Sequence, residues 1–263
     1  MTILVGADPE LFLRRDGEFH SGHGMIPGNK FEPYPVEDGA VQVDGMALEF
    51  NINPARNEKE FLHNINHVLG QLHDMIPAEF DVAIDPVAWF SEDHMKEQPE
   101  EAKILGCAPD FDAYQMLPND LPDQTMRMRT AAGHVHVGFT EGADVDSFGH
   151  FTDCAMLAKQ LDYFLGIPSI VLESSNKRRE MYGKAGCFRP KPYGMEYRTL
   201  SNFWLKSDKL MSFVYKQTVE AVEQAAKGVQ FDVEYGPDTA QIIINNNDKK
   251  AATEFCQRFW SLP

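Results

Sequence analysis

The order of apolar and polar positions along the chain predicts short strands alternating with amphipathic helices. Strands are predicted where β-branched, aliphatic and aromatic residues alternate with polar ones, at residues 2–14, 41–52, 82–90 and 128–139. Helices are predicted where apolar residues recur with helical spacing, at residues 57–76, about 146–164, about 207–227 and about 238–260. No repeat, low-complexity tract or linker interrupts the pattern, so it predicts one α+β domain over residues 1–263.

The segments between these elements lack periodicity and are rich in Gly, Pro or charge. Residues 21–35 are predicted to form a loop whose glycine spacing does not match a dinucleotide fingerprint, and Lys30 in this loop is a candidate phosphate contact. Residues 91–126 are predicted to form a long surface excursion that covers a site. Residues 178–197 concentrate basic side chains in an otherwise acidic chain.

Composition and charge limit the class of function. The chain has 263 residues, 43% of them hydrophobic, which is enough for a substantial globular core. Its net charge of −16 repels a phosphate backbone, so general binding of nucleic acid is not expected. Most of the acidic excess is explained by solubility, and only carboxylates at paired spacing call for a functional explanation.

The cysteines and the apolar runs bear on the cellular compartment. The cysteines lie far apart without a CxxC pair, so neither a zinc knot nor a disulfide framework is expected: Cys107, Cys154, Cys187 and Cys256. The N-terminal residues lack the pattern of a signal peptide, and no later apolar run approaches eighteen residues. These features predict a soluble, cytoplasmic protein without a membrane partner.

Two histidines share one face of the predicted strand at residues 133–138, Gly-His-Val-His-Val-Gly. Side chains two positions apart on a strand point the same way, so His134 and His136 lie together, with the valines on the core side. Backbone carbonyls alone could satisfy both imidazoles. We favour a functional role for at least one of them, because the flanking glycines let another group approach the backbone closely.

Two pairs of carboxylates are spaced as candidate metal ligands. Asp8 and Glu10 lie two positions apart in an apolar strand, where burial of two like charges is costly without a cation. Pro9 also permits an edge position facing solvent. Asp44 and Glu49 are five positions apart, which places them on opposite faces of a regular strand, so a bulge at Gly45 is needed to bring them together.

Basic residues and a further carboxylate complete the candidate site. Glu196 and Arg198 share a strand face, and a metal ligand beside an arginine suits phosphoryl transfer, although a structural ion pair would give the same pattern. Oxygen ligands with one imidazole favour Mg²⁺ or Mn²⁺ over Zn²⁺, and Mg²⁺ commonly shares its shell with the phosphates of a nucleotide. The candidate phosphate contacts are Arg178, Arg179, Lys184, Arg189 and Arg198.

These motifs, taken in order, resemble the glutamine synthetase and glutamate-cysteine ligase superfamily. The similar segments are Gly-Ala-Asp-Pro-Glu at 6–10, Val-Asp-Gly-Met-Ala-Leu-Glu-Phe-Asn at 43–51, the Gly-His-Val-His-Val-Gly strand and Glu-Tyr-Arg at 196–198. The opening motif, the Gly-Asn-Lys loop and the Asp-Gly-x-x-x-Glu-Phe-Asn segment are closer to the phage-type carboxylate-amine ligases. The resemblance extends from residue 3 to about residue 203.

The resemblance implies a fold and a reaction. The fold is a curved, mainly antiparallel sheet with helices on its convex face, and the reaction is an ATP-dependent amide or peptide-like bond formation through an acyl phosphate. Two or more Mg²⁺ or Mn²⁺ ions are implied, one held by Glu10, Glu49 and Asp44. Another is held by Asp8, His134 and Glu196, beside Arg198 and Arg189.

The resemblance leaves the substrates open. A small-molecule or peptide carboxylate and an amine are implied, without their identities, and loops 15–40 and 91–126 are where recognition residues are expected. His136 is expected to contact nucleotide or substrate, with Lys30, Arg179 and Lys184 as further nucleotide contacts. The oligomeric state is open, although larger members of the superfamily form rings or dimers.

Two other functions fit parts of the sequence. A metal-dependent hydrolase also uses an HxH motif with carboxylates, but His150 is the one further histidine that follows, and it lies in a predicted helix. A binding protein that retains the fold without the chemistry is the third possibility. Product formed without ATP would favour the hydrolase.

Overall fold

The computed structural model describes residues 3–104, 110–120 and 126–263, and Cys107 lies outside them. Its strands are β1 Leu4–Arg15, β2 Glu18–His20, β3 Tyr34–Val36, β4 Gly39–Asp44, β5 Ala47–Ile52, β6 Asp81–Ala83, β7 Val87–Trp89, β8 Phe111–Asp112, β9 Leu117–Pro118, β10 Met128–Thr130, β11 Gly133–Gly138, β12 Cys187–Lys191 and β13 Gly194–Tyr197. The helices are α1 Glu58–Met75, α2 Glu92–Glu97, α3 Glu100–Lys103, α4 Phe148–Leu161, α5 Ile167–Leu172, α6 Asp208–Ala226, α7 Phe231–Tyr235, α8 Thr239–Asn245 and α9 Lys249–Phe259. A π-helical turn, Asp162–Gly166, joins α4 to α5.

One large sheet organises the protein. Its order is β3-β4-β5-β1-β11-β13-β12-β8-β9, with β2 and β6 also paired to β1, while β7 and β10 pair separately. All the ladders between named strands are antiparallel. The predicted α+β class with a mainly antiparallel sheet is therefore confirmed.

The two faces of the sheet differ because apolar and polar residues alternate along its strands. Val135 and Val137 of β11, with Met195 and Tyr197 of β13, belong to the main hydrophobic core. Helices α1, α4 and α6 pack on this apolar face. The alternate residues point to the opposite face, where the charged side chains lie.

The first predicted helix forms with the predicted cap. The Glu60 amide donates to Asn57 Oδ1 at 3.0 Å, and Glu60 Oε2 accepts from the Arg56 amide at 2.7 Å. These bonds satisfy donors that a helix start otherwise leaves exposed. The apolar stripe of α1 packs against β4 and β5, which fixes the edge of the sheet relative to the core.

Several predicted strands divide where the backbone turns. Residues 41–52 form the β4–β5 hairpin around Gly45 at φ 60° rather than one bulged strand, so that prediction was wrong. Residues 128–139 form β10 and β11 in two different sheets, and residues 82–90 divide in the same way. The segment 178–197 contains the unpredicted β12–β13 hairpin.

The helices also depart from prediction. The predicted helix 238–260 is two helices separated by a turn with Asn247 at φ 50°. Among the described helices, Phe148–Leu172 is the one that is long and apolar enough to cross a membrane by length and composition, but 78% of its apolar window is buried inside the protein. It is therefore placed as a core helix, and Lys159 and Asp162 interrupt its apolar sequence.

A buried carboxyl in the π-helical turn forms a hydrogen bond with β13 on the core side of the sheet. Asp162 Oδ1 accepts from the Tyr197 hydroxyl at 2.7 Å, and Asp162 Oδ2 accepts from the Tyr114 hydroxyl at 2.9 Å. Burial raises the pKa of Asp162 to about 7. Tyr197 stands between Glu196 and Arg198, so this anchor on the core side fixes how the charged neighbours project on the other side.

A short 3₁₀ turn, Asn202–Lys206, braces β1 and β11. The Trp204 indole N–H donates to the Gly133 carbonyl at 3.1 Å, and the Asn202 side chain donates to the Glu10 carbonyl at 2.8 Å. Trp204 is fully buried, so little space remains next to Gly133. The brace therefore fixes the backbone next to two candidate ligands, Glu10 and His134.

Replacing Gly133 by Ala should lower the free energy of unfolding by about 1–3 kcal/mol, the usual cost of overpacking a core. A Cβ at this position would lie 2.4 Å from Trp204 Nε1 and 2.5 Å from the Ser201 carbonyl oxygen, neither of which is a flexible chain end. Urea unfolding followed by tryptophan fluorescence measures the loss.

Gly70→Ala is the matched control, because a Cβ there meets no atom within 4 Å and Gly70 lies inside α1. This variant should gain about 0.5–1 kcal/mol from helix propensity. Equal stabilities for the two variants would contradict the brace.

Candidate active site

The strand register places the candidate residues in a row across the polar face of the sheet. Glu10 of β1 lies opposite Glu49 of β5, and Asp8 lies opposite His134 of β11. Farther along, Glu196 of β13 lies between His136 of β11 and Arg189 of β12. Since opposite residues share a face, side chains from six strands meet here, including Asp44 of β4.

The first cluster consists of Glu10, Asp44 and Glu49. One carboxylate oxygen from each lies within 4.8 Å of the others. The hairpin brings Asp44 to the face of Glu49, because Gln42 is opposite Glu49 and Asp44 follows Gln42 by two positions. The sequence grouped these three correctly, although the turn is responsible rather than a bulge.

The pKa values in this cluster reflect buried, like charges. Burial, and then the charge of Asp44, raise the pKa of Glu10 to about 7. Burial and the neighbouring carboxylates raise the pKa of Glu49 well above its usual range. Burial also raises the pKa of Asp44, against the opposing charge of Lys30. A cation between the three carboxylates would remove this repulsion.

The second cluster consists of Asp8, His134 and Glu196, whose donor atoms also lie within 4.8 Å of one another. His134 Nδ1 is 3.2 Å from Asp8 Oδ1 and 3.3 Å from Glu196 Oε1. Burial and the charge of Arg198 lower the pKa of His134 to about 4. The imidazole is therefore neutral at neutral pH, which is the form that binds a metal.

Cations surround the fully buried Glu196. Lys191 Nζ is 3.0 Å from Glu196 Oε2, Arg189 Nη1 is 3.2 Å from the same oxygen, and Arg198 Nη1 contacts Oε1. Although burial opposes it, these charges, led by that of Arg198, hold the pKa of Glu196 well below its usual range. The second cluster is thus partly neutralised by side chains, unlike the first.

His136 faces the same carboxylate as His134. His136 Nε2 lies 3.1 Å from Asp8 Oδ1, and its Nδ1 contacts the Tyr193 hydroxyl. Although burial opposes it, the charge of Asp8 raises the pKa of His136. His136, Tyr193 and Gly6 also line a cavity of about 330 Å³ next to the second cluster.

The chemistry of the donor set fits divalent metal ions. Asp8 Oδ1 and His136 Nε2 are buried and lie 3.1 Å apart without an aligned hydrogen bond, so a ligand that bonds to both atoms would complete the site. The ligands are five carboxylates and one neutral imidazole, a set that suits Mg²⁺ or Mn²⁺. The six residues are Asp8, Glu10, Asp44, Glu49, His134 and Glu196.

Some predicted nucleotide contacts lie at the cluster and others do not. Lys30 lines a cavity with Asp44, whereas Lys184 lines a separate cavity with Asp110. Arg179 forms a buried ion pair with Glu173 at 2.6 Å, and the structure does not bring it to the ligands. Its side chain is committed to holding the end of α5, a role that sequence pattern alone does not distinguish from phosphate binding.

Arg178 has a supporting position. Its guanidinium donates to the Thr199 carbonyl at 2.9 Å and to the Arg198 carbonyl at 3.2 Å. Its charge also opposes the rise in the pKa of Glu10. Arg178 therefore fixes the backbone after β13 and lines a small cavity with Glu10 and His134.

The sequence analysis missed several neighbours of the ligands. Lys191 shares a strand face with Arg189, so spacing by two residues could have identified it. Tyr193 lies in the β12–β13 turn, which was not predicted. Asp110 accepts from Arg198 Nε at 3.0 Å, across a sequence separation that no local pattern reveals. His150 Nε2 donates to the Lys191 carbonyl at 2.9 Å, and His150 is not in either candidate cluster.

Glu49→Gln should stabilise the metal-free protein at pH 8 by about 1 kcal/mol or more, since one unit of pKa shift corresponds to about 1.4 kcal/mol. Because the pKa of Glu49 lies well above its usual range in the folded protein, its carboxyl holds its proton more tightly when folded, so stability falls as the pH rises above the usual carboxyl range. Removing one charge relieves this loss. Thermal unfolding in the presence of a metal chelator measures the difference in stability between the variant and the wild type.

The same variant should lose most of the stabilisation that Mg²⁺ or Mn²⁺ gives to the wild type. Glu79→Gln is the control, because Glu79 is exposed in a loop. A Glu49→Gln protein that is less stable than wild type in chelator at pH 8 would show that the carboxylates do not repel one another.

Comparison with known proteins identifies the family. No curated protein sequence matches the chain. The crystal structure of a bifunctional glutathione synthetase from Pasteurella multocida is similar over 98% of this chain, with 12% identity and a TM-score of 0.44, and the chain spans about half of that protein (49%). A sequence model described as phage phiEco32-like COOH.NH2 ligase-type 2 matches residues 113–244, just over half of the chain. The resemblance to the phage-type carboxylate-amine ligases is thereby confirmed, and the chain belongs to the phage phiEco32-like COOH.NH2 ligase-type 2 family.

Proposed function

We propose that this protein joins a carboxylate to an amine with ATP as co-substrate, through an acyl-phosphate intermediate. The observation that carries the proposal is the arrangement of two carboxylate-rich clusters side by side on one sheet face, with Arg189, Lys191 and Arg198 at the second cluster. Membership in a carboxylate-amine ligase family supports it. No third histidine joins the clusters among the described residues, which disfavours the hydrolase alternative.

The two clusters have different proposed roles. Glu10, Asp44 and Glu49 would hold one Mg²⁺ or Mn²⁺ ion, and Asp8, His134 and Glu196 would hold another. When bound, the ions would neutralise the charge of the phosphates and of the carboxylate substrate. The protein's own contribution is to hold these ligands on adjacent antiparallel strands, where the backbone ladder fixes their spacing.

The proposed reaction has two steps. In the first, a carboxylate oxygen of the substrate attacks the γ-phosphorus of ATP, the bond to the β,γ-bridging oxygen breaks, and ADP leaves. In the second, the amine attacks the acyl carbon, phosphate leaves with its C–O bond electrons, and the nitrogen loses a proton. The products are an amide, ADP and phosphate.

Arg198 and Arg189 are the proposed catalytic cations. Both contact Glu196 in the structure, so a small displacement of each guanidinium would bring it to phosphate oxygens beside the second cluster. The planar fork of arginine suits a phosphoryl group whose charge is spread over several oxygens. Asp110 holds Arg198 through its Nε, while Nη1 of Arg198 contacts Glu196 and lies 3.4 Å from His134 Nδ1 in the second cluster.

The proposed nucleotide side lies at His136. The cavity of about 330 Å³ beside His136 and Tyr193 is next to the second cluster, and it has an apolar lining of Leu4, Ile52 and Pro54. Such a lining suits a base or a ribose better than a triphosphate. Lys30 would contribute from the other side of the site, next to Asp44. Lys184 and Arg179 lie farther from the ligands and have weaker support as nucleotide contacts.

We further propose that residues 1–263 act as one ligase domain with a fold of the glutamine synthetase catalytic type. The ligands come from β1, β4, β5, β11 and β13, so strands between Leu4 and Tyr197 all contribute to one site. The proposed partners are a small-molecule or peptide carboxylate and an amine. A cytoplasmic location remains a proposal from the sequence.

Purified protein supplied with ATP, Mg²⁺ or Mn²⁺, pooled amino acids and amines should release ADP together with a product that has the mass of acid plus amine minus water. Mass spectrometry follows both products. AMP with pyrophosphate, or product formed without ATP, would contradict the proposed chemistry.

Arg198→Ala should lower the rate of ADP release about 100- to 1000-fold, the usual loss when one charge-stabilising donor is removed. Lys177→Ala is the control, since this exposed cation lies in the same basic segment and pairs only with Glu180 among the contacts seen. Equal effects of the two substitutions would contradict the role of Arg198.

The two metal sites should fill in different ways. One Mn²⁺ should bind tightly without nucleotide, at the first cluster, whose three members are all carboxylates. A second should bind tightly only with an ATP analogue that is not hydrolysed, because side-chain cations contact Glu196 until phosphate oxygens attract them. Electron paramagnetic resonance of free Mn²⁺ gives the stoichiometry, with adenosine as control. Two equally tight sites without nucleotide would refute this order.

A further inference from the structure

A second kind of donor cluster lies on the helical side of the sheet edge. His63 and His67 are four positions apart on α1, and Asp38 lies in the turn between β3 and β4. Asp38 Oδ2 is 2.7 Å from His67 Nδ1 and 3.2 Å from His63 Nε2. Three different donor atoms thus converge at a point that the ligase reaction does not use.

The donor types and spacing suit a transition-metal ion. Histidines at i and i+4 share a helix face, and two imidazoles with a carboxylate form a common ligand set for Zn²⁺. Ligand atoms bound to one ion at about 2.0–2.2 Å lie about 3.0–3.5 Å apart. The observed separations of 2.7 Å and 3.2 Å approach this spacing, so small side-chain rotations would admit an ion.

A neighbouring carboxylate would accept a hydrogen bond from one of the two metal-binding histidines. Glu37 Oε2 lies 3.9 Å from His67 Nε2, the ring nitrogen that does not face Asp38. Metal-bound imidazoles commonly donate their other N–H to a carboxylate, which fixes the tautomer and strengthens the ligand. The observed 3.9 Å is longer than a hydrogen bond, so the exposed Glu37 side chain would move closer to accept that bond.

The backbone that carries Asp38 is already fixed to the helix. Gln71 of α1 accepts from the Glu37 amide at 3.0 Å and donates to the Glu37 carbonyl at 2.9 Å. The turn therefore approaches α1 at the height of the two histidines without any help from the cluster. Such support lowers the entropic cost of ordering the ligands when an ion binds.

We propose that His63, His67 and Asp38 form a binding site for Zn²⁺ or a similar divalent transition metal, which fastens the β3–β4 turn to α1. Strand β4 begins directly after this turn and ends at Asp44 of the first carboxylate cluster. Five residue steps along a strand span about 17 Å, so the two sites are separate. The ion would stabilise the strand that carries Asp44 without contacting substrate.

In the absence of metal the cluster is an ion pair. The hydrogen bond to Asp38 raises the pKa of His67 and lowers that of Asp38. A metal must displace the proton of His67, so binding is best measured above neutral pH. Mg²⁺ in excess occupies oxygen sites and competes poorly for imidazole, which separates this site from the carboxylate clusters.

Titration of the wild type with Co²⁺ at pH 8 in excess Mg²⁺ should give one equivalent of bound ion with visible d–d absorption, and Zn²⁺ should displace it. His63→Gln and His67→Gln should each weaken binding about tenfold or more. Zn²⁺ should also raise the thermal midpoint of the wild type and not that of His63→Gln. All of these variants change exposed or half-buried side chains, so folding is preserved.

His73→Gln is the matched control, because His73 is an exposed histidine on the same helix outside the cluster. It should bind Co²⁺ as the wild type does. Glu49→Gln should also retain the Co²⁺ site, so failure of the ligase proposal would leave this result unchanged. Absence of Co²⁺ binding in excess Mg²⁺, or equal binding by wild type and His63→Gln, would overturn the proposal.

Discussion

The repulsion among buried carboxylates on one face of the sheet is the constraint on which the rest of the structure depends. Glu10, Asp44 and Glu49 come together with no side-chain cation bonded to them among the described contacts, and burial and mutual charge raise their pKa values. A fold optimised only for stability would place apolar groups at such positions. A cation bound there would offset this repulsion, which would tie affinity for metal to the stability of the fold.

The opposite face of the sheet supplies the stability that this arrangement removes. Val135, Val137 and Met195 alternate with the charged residues and are fully buried under the helices. Asp162 anchors Tyr197 from the core side, and Trp204 closes the space at Gly133. The apolar face therefore fixes the strand register for the charged face, where like charges repel. A shift of the register by one residue would bury Glu196 in the core.

The ligands were predictable from sequence because strand alternation is local. The family resemblance grouped Glu10 with Asp44 and Glu49, and Asp8 with His134 and Glu196, and the structure places them in these two groups. The pair that spacing alone suggested, Asp8 with Glu10, divides between the two clusters. The route of the chain between Asp44 and Glu49 was not predicted correctly. A bulge and a tight turn both use glycine, and only the strand pairing in the structure distinguishes one from the other. The role predicted for Arg179 was not supported for a similar reason. The sequence alone does not distinguish an arginine in a buried ion pair, here with Glu173, from an arginine that contacts phosphate.

The asymmetry between the clusters follows from where each lies in the sheet. The first cluster is built by β1, β4 and β5, which precede the segment 113–244 that defines the family match, whereas His134 and Glu196 of the second lie within it. Asp8 of β1 crosses this division, because its partner across the ladder is His134. The pairing of β1 with β11 thus joins an anionic cluster to one already lined by cations. A nucleotide whose phosphates draw Arg198 and Lys191 away from Glu196 would free that carboxylate, so these cations would make the affinity of the second cluster for a metal ion depend on bound nucleotide.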